Sequence, residues 1–371
     1  MTKLMSPTLL PLDIIVIGCG TVGSALLRQL ERSIQRLAEQ GIGLRVVAIA
    51  NRRCMLVDTE GLSLASWKAS LASGTKEPGN ADKTSATSLE ALMSLGALLA
   101  NPVLVDCTAS DAIPSAYPGF LAAGFNIVTP NKRGNTSSME HYKAMRTLAR
   151  TQNRLYLYEA TVGAGLPVID NFKALLLAGD KLVRFQGILS GSLSFMLGEL
   201  ETGRVFSAVV REAMDKGFTE PDPRDDLSGI DVARKVLILA RECGLSLELA
   251  DIELDGLVPP EYMALGKDEF ISRMGELDGH FEAIRAKART ENKVPRFAGS
   301  IEGGKGRAGL LFVGPDHPLY PIKGGENALA FHTRYYDPIP LIIRGYGAGA
   351  EVTAAGVFSD ILRTVNWKRI P

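Results

Sequence analysis

The residues best equipped for chemistry lie together in Gly217–Lys235, GFTEPDPRDDLSGIDVARK. Five acids fall within these nineteen positions, and Pro221 and Pro223 stiffen the loop that carries Glu220 and Asp226. Asp231 and Lys235 stand four apart at the head of an apolar-periodic segment, so on a helix they share one face. Such carboxylates could hold the ammonium group of an amino-acid substrate, with the lysine placed to give or take a proton. The same composition also fits a solvated loop followed by a surface ion pair. Spacing alone leaves both readings open.

A second constellation is Gly18-Cys19-Gly20-Thr21-Val22-Gly23, set between the apolar run Asp13–Ile17 and a segment with Leu26, Leu30, Ile34 and Leu37 on one helical face. GxGxxG between a strand and a helix is a dinucleotide fingerprint. Gly18 makes the tight turn, Gly20 lets the backbone approach a pyrophosphate, and Gly23 lets helix and strand pack closely. Thr21 and Val22 open the helix, whose N-terminal N–H groups and dipole favour phosphate. The next strand, Leu44–Ala50, ends in Asn51-Arg52-Arg53, with no acid before Asp58. NAD-binding units place an acid there for the ribose 2′-OH. Arg52 and Arg53 could instead grip a 2′-phosphate, which favours NADP, with NAD the alternative.

These residues need elements to hold them. Apolar strands are predicted at Pro102–Thr108, Phe125–Lys132 and Arg154–Ala160, alternating with helices at about 112–123 and 138–150, the grammar of a doubly wound parallel sheet. The polar segment from Asn51 to about Ser94 is expected to be a surface excursion with one or two short helices. Beyond about residue 165 the rhythm changes: helices at about 166–179, 205–217 and 230–243 surround a strand near 183–191. From Phe297 to Arg344 short apolar runs between glycines and prolines predict antiparallel strands, a frequent dimer-forming device. The strand LIIRG, the turn Gly345–Gly349 and a final helix suggest that the chain folds back onto the nucleotide domain. The fold class is thus α/β, a Rossmann-type nucleotide-binding domain plus an α+β catalytic and dimerisation domain. The first comprises residues 1–156 with 346–371 and the second 157–345, with catalysis at about 167–296 and dimerisation strands at about 157–166 and 297–345.

Composition narrows the classes. The 371 residues carry 41 basic and 41 acidic side chains, a balance that argues against a nucleic-acid or membrane-surface binder. Hydrophobic residues make up 46%, yet no apolar run reaches the ~18 needed to span a membrane. Cys19, Cys54, Cys107 and Cys243 show no metal-ligand spacing, which predicts a reduced cytoplasmic chain without disulfides. The start, MTKLMSPTLLPLD, reads as a short arm rather than a targeting peptide.

Gly217–Lys235 closely resembles the signature of homoserine dehydrogenases. Ile17–Gly23 (IGCGTVG), Thr129–Lys132 (TPNK), Glu159–Leu166 (EATVGAGL) and Gly347–Val357 (GAGAEVTAAGV) are similar to the same family. The resemblance runs in order over nearly the whole chain and is most like the monofunctional fungal and plant type, with neither an aspartokinase domain nor a C-terminal regulatory domain expected. It implies a cytoplasmic homodimer that interconverts aspartate 4-semialdehyde and homoserine with NAD(P)H, in threonine and methionine biosynthesis. It also implies that Lys235 is the proton donor, that Lys132 reaches nicotinamide and substrate, and that Glu220 and Asp231 bind the substrate with Asp226 beside them. Thr108, Ala109, Gly217 and Gly349 would meet the cofactor. Glu159 and the carbonyls of Val162, Ala164 and Leu166 would hold a monovalent cation, sodium by expectation. Ser190-Gly191-Ser192 stands where many relatives carry a Gly-Thr pair, and Ser192 keeps the hydroxyl.

Two other functions compete. A phosphorylating semialdehyde dehydrogenase needs a cysteine activated by histidine. Cys107 sits at a strand end, but His141, His280, His317 and His332 show no matching context. An inactive dinucleotide sensor of the same fold is opposed by the intact set Lys132, Glu220, Asp231 and Lys235. Nothing reads as a DNA-binding element.

Overall fold

A computed structural model describes residues 9–73 and 84–365. The expected N-terminal arm falls largely outside them, as do residues 74–83 and 366–371. By its contacts the chain forms two compact units, Met1–Thr161 with Ala350–Pro371 and Val162–Gly349. Among the described residues no helix is long and apolar enough to cross a membrane.

The first unit is a Rossmann-like domain built on β1 (Leu10–Ile17), β2 (Ile42–Ala50), β3 (Cys54–Val57), β4 (Thr84–Ala86), β5 (Pro102–Asp106), β6 (Asn126–Val128) and β7 (Tyr156–Leu157). Their order is β4-β3-β2-β1-β5-β6-β7. The five from β2 to β7 in that order run parallel, while β3 and β4 add an antiparallel edge. Ile14, Ile15 and Val16 are wholly buried, as parallel strands are when both faces are covered. On one face the helix Thr21–Glu39 packs Leu26, Leu30 and Leu37 onto β1, with Ala354, Val357 and Ile361 of the helix Ala350–Arg363 joining the same core. The strand order reverses between β1 and β5. Their carboxyl ends therefore border the crevice where such sheets bind ligands.

Two local expectations change here. The excursion over 51–94 contains the short helices Trp67–Ser73 and Leu89–Ser94, but also β3 and β4. A four-residue strand behind two arginines is too short to show a period. At the far end, LIIRG does not open a unit with the helix that follows. It forms an edge strand of the second sheet, while Ala350–Arg363 packs in the first unit.

The second unit carries β8 (Leu182–Ile188), β9 (Glu253–Leu254), β10 (Val294–Glu302), β11 (Lys305–Val313), β12 (Glu326–Thr333) and β13 (Leu341–Tyr346), ordered β13-β12-β8-β10-β11-β9. All pairs are antiparallel except β11 with β9. The helix Ile230–Glu242 lies on this sheet so closely that a Cβ on Gly299 would stand 2.4 Å from Val236 Cγ2. The helix Gly191–Glu201 went unforeseen because it is apolar almost all round, and such a helix shows no stripe.

In the fingerprint the three glycines differ. A Cβ on Gly18 (φ +97°) would meet the Cys107 carbonyl carbon at 2.8 Å, and one on Gly23 would stand 1.9 Å from Gly18 O. One on Gly20 would meet nothing within 4 Å. Gly23→Ala is therefore expected to cost at least about 3 kcal/mol in urea unfolding, and Gly20→Ala less than about 1 kcal/mol. Equal losses would refute this division.

Candidate active site

Gly20 caps the helix Thr21–Glu39 without a side-chain hydrogen bond, and the first turn contains no acid. Backbone N–H groups with a positive dipole thus border the open space over Gly20, a combination suited to a pyrophosphate. At the end of β2, Asn51 Oδ1 accepts the N–H groups of Arg53 (2.7 Å) and Cys54 (3.0 Å). Arg52 and Arg53 are exposed, and neither forms an ion pair with a described residue. After β5 the Thr108 N–H donates to Asp106 Oδ1 at 2.8 Å, and Ala109 is exposed. Lys132 opens the short turn Lys132–Asn135, capped by Asn131.

In the second unit Ser190 caps the helix Gly191–Glu201 by accepting the Leu193 N–H at 3.3 Å. Ser192, the second residue of that helix, donates to Asp226 Oδ1 at 2.7 Å, and the Glu220 N–H donates to Asp226 Oδ2 at 2.8 Å. Gly229, at φ +72°, turns the chain from the short helix Pro223–Leu227 into Ile230–Glu242. There Lys235 is almost wholly buried, its Nζ donating to Leu189 O at 2.6 Å and pairing with Asp231 Oδ2 at 2.8 Å. Asp231 is half exposed and the Glu220 side chain is exposed. Ser192 and the Glu220 N–H thus meet on Asp226, Lys235 pairs with Asp231, and Asp231 stands near enough to Asp226 to act on its charge. Burial holds the Asp226 carboxyl above its ordinary range against the pull of Ser192 and the Glu220 N–H, and Asp231 adds to the rise.

The family model described as "Homoserine dehydrogenase" matches residues 167–362, and that described as "Homoserine dehydrogenase, NAD binding domain" matches residues 18–159. The chain belongs to the homoserine dehydrogenase family. A homoserine dehydrogenase of Emericella nidulans is 36% identical, over 96% of this chain and 98% of that one. A bifunctional aspartokinase/homoserine dehydrogenase of Haemophilus influenzae is 49% identical over 95% of this chain, which spans only 43% of that relative's length. A crystal structure of a Candida auris protein of unknown function superposes with a TM-score of 0.85 at 35% identity, covering 97% of this chain and 99% of that one.

Within this homoserine dehydrogenase family chain the remaining sequence-derived residues separate. Gly217 (φ +68°) follows the helix Phe206–Asp215, and Gly349 (φ +106°) precedes Ala350–Arg363, both with open space where a side chain would be. Glu159 is buried in the turn Glu159–Thr161 of the first unit, its N–H donating to Asp360 Oδ2 at 2.8 Å. Val162, Ala164 and Leu166 open the second unit. There Gly163 and Ala164 are both left-handed, and Leu166 O accepts the Val168 N–H at 2.9 Å. No group of three or more His, Cys, Asp and Glu side chains among the described residues could hold a metal. Burial pushes the Cys107 thiol up, and the Asp106 carboxylate and Cys19 add to the rise, so it is a poor nucleophile for the phosphorylating alternative.

Residues the sequence did not single out are Asp106, Tyr117 and Leu189, the last acting through its carbonyl. An acid closing the buried strand VLVD was a usable signal for Asp106. Nothing local marks Leu189.

Asp226 generates a pH test. A carboxyl raised by folding contributes stability that is fully present below its unfolded value, 3.8, and is lost as pH rises through the folded value. Asp226→Asn removes that loss. Its melting temperature should exceed the unaltered protein's most at neutral pH, with the gap closing toward pH 3.8. A gap that stays constant in a pH series of scanning fluorimetry would remove the burial argument.

Proposed function

We propose that this chain catalyses the NAD(P)-dependent interconversion of L-aspartate 4-semialdehyde and L-homoserine, with NADP preferred. The observation that carries the reading is the buried Lys235 ammonium, fixed by Leu189 O and Asp231 in the unit that also presents Asp226 and Glu220. When bound, the dinucleotide supplies the hydride in reduction and takes it back in oxidation. Reduction makes the aldehyde oxygen an alkoxide. Lys235 stabilises that charge and delivers the proton, and in oxidation it removes the proton from the homoserine hydroxyl. Lys132 is proposed to share this proton work. Glu220, Asp226 and Asp231 bind the substrate ammonium, and Ser192 acts mainly by orienting Asp226. Gly18, Gly20, Thr21, Val22, Gly23, Thr108, Ala109, Gly217 and Gly349 meet the dinucleotide. The exposed Arg52 and Arg53, which form no ion pair with a described residue, support NADP.

The chain is further proposed to be a homodimer with a sodium site. The edge strand β13, with exposed Ile342 and Tyr346, supports the first. An oxygen-only set of the Glu159 carboxylate and the Val162, Ala164 and Leu166 carbonyls supports the second, since hard cations take oxygen ligands.

The deciding experiment is homoserine oxidation followed by absorbance with NADP⁺ and NAD⁺ in parallel. Reduced nicotinamide is expected from both and faster from NADP⁺, and none from either would end the reading. Lys235→Ala should lose about 10²- to 10⁴-fold in kcat with the fold intact; near-normal turnover would remove Lys235 as the acid. Replacing sodium by choline should lower turnover while sedimentation still reports a dimer. Undiminished activity or a monomer would contradict the corresponding proposal.

A further inference from the structure

Asp106 ends β5 with no solvent exposure. Its carboxylate accepts three hydrogen bonds: from the Thr108 N–H (2.8 Å) at Oδ1, and from Tyr117 Oη–H (2.7 Å) and Asn131 Nδ2–H (3.0 Å) at Oδ2. Its backbone carbonyl accepts Thr129 Oγ1–H at 2.9 Å, and Thr129 Oγ1 in turn accepts the Asn131 N–H at 2.8 Å. Asn131 carries the connection onward. Its amide also donates to Ser110 O at 2.9 Å, and its Oδ1 accepts the Arg133 N–H at 3.0 Å, capping the turn that Lys132 opens. One carboxylate therefore ties the turn after β5 to the turn after β6, at the carboxyl edge of the parallel sheet.

We propose that Asp106 is a positioning residue that sets both dinucleotide-facing loops, Thr108–Ala109 directly and Lys132 through Asn131. The proposal rests on the reading that this unit binds a dinucleotide. Its chemical core is that the Thr108 N–H and the Asn131 amide are obligatory donors on opposite oxygens. An ionised carboxylate accepts from both, whereas an amide offers only one acceptor. In Asp106→Asn the new NH₂ must face either the Thr108 N–H or the Asn131 NH₂. The Tyr117 hydroxyl can rotate to adapt, but those two cannot. The cost falls on the loops rather than on the sheet. Moving the charge restores acceptance: in Asp106→Asn with Asn131→Asp, the new carboxylate accepts from the amide at 106 and still caps the Arg133 N–H. The bonds to Ser110 O and, at 3.4 Å, to Thr108 Oγ1 are lost; Ser110 is exposed enough for water to replace the first, and the Thr108 hydroxyl can turn to donate to the new carboxylate.

The test measures affinity for NADPH alone, by its fluorescence on binding, in the full chain without homoserine. Asp106→Asn should bind NADPH about ten-fold or more weakly, the size of effect expected when a buried donor is left unpaired. The double exchange should recover most of that loss. Asp13→Asn is the control for stability alone, because Asp13 is equally buried, sits in β1 opposite Pro102 at the other end of β5, and bonds Arg45 at 2.7 Å. It should lower the melting temperature and leave NADPH affinity within about two-fold. If Asp106→Asn keeps normal affinity, or if Asp13→Asn weakens binding as much, the proposal fails. Should Asp106→Asn not fold, Asn131→Ala carries the test, because it removes the links from Asn131 to Asp106, to the turn after β5 and to the Arg133 N–H while leaving Asp106 its bond to the Thr108 N–H: weakened NADPH binding supports the proposal and normal binding overturns it. An unaltered protein that binds NADPH but leaves homoserine unoxidised would sink the proposed reaction and spare this inference; one that does not bind NADPH would sink the dinucleotide reading itself.

Discussion

Where β1 ends, Gly18 lies against the backbone of Cys107 and Gly23 against the carbonyl of Gly18, at distances that leave no volume for a methyl group. The hydrogen bonds from Cys107 N to Ile17 O and from Gly18 N to Ala50 O, at 2.8 and 2.9 Å, continue the three central strands into this turn. Helix Thr21–Glu39 can start only where that packing lets it, so the direction of its first N–H groups is set by the sheet. The C-terminal helix depends on the same arrangement, because Ala354, Val357 and Ile361 share a core with Leu26 and Leu30. Gly20 alone is released from the constraint. A side chain would fit there, so the packing that demands glycine at 18 and 23 does not demand it at 20.

The second unit solves the matching problem for a lysine. A cation buried without partners is costly, yet one that is heavily paired cannot work on a substrate. Lys235 meets a carbonyl and one carboxylate, and the carboxylate, Asp231, remains half in solvent. The helix that carries both is pressed onto β10 through Gly299, which limits how far Nζ can wander. The burial of the ammonium thus depends on sheet packing as well as on its polar partners.

Much of this was legible in the chain because it is written in short range. The strand–glycine–helix grammar around Gly18 and the i,i+4 spacing of Asp231 and Lys235 depend on neighbours within a few residues. What stayed hidden depends on meetings across the fold. The value of Asp106 comes from Tyr117 and Asn131, and that of Lys235 from a carbonyl 46 positions earlier. Helix Gly191–Glu201 was hidden for another reason: burial on nearly every side erased the polar face that would have shown its period. Strand Cys54–Val57 is defined by its antiparallel partners, β2 on one side and β4 on the other.

Three buried or half-buried aspartates show how the site differs from the scaffold around it. Asp13 is answered by a cation, Arg45, and Asp106 by three donors. Asp226 has two donors, and the charged groups that shift it, Asp231 and Asp225, are both acids. The nearby cation, Lys235, is already paired with Asp231. Burial and two acidic neighbours thus both penalise the charged form of Asp226, where Asp13 has a cation and Asp106 three donors. An ammonium group brought in by an amino acid would supply the missing counter-charge. On the proposed reading, that ammonium group is the part of an amino-acid substrate that Asp226 would meet, apart from any contact with the reacting carbon.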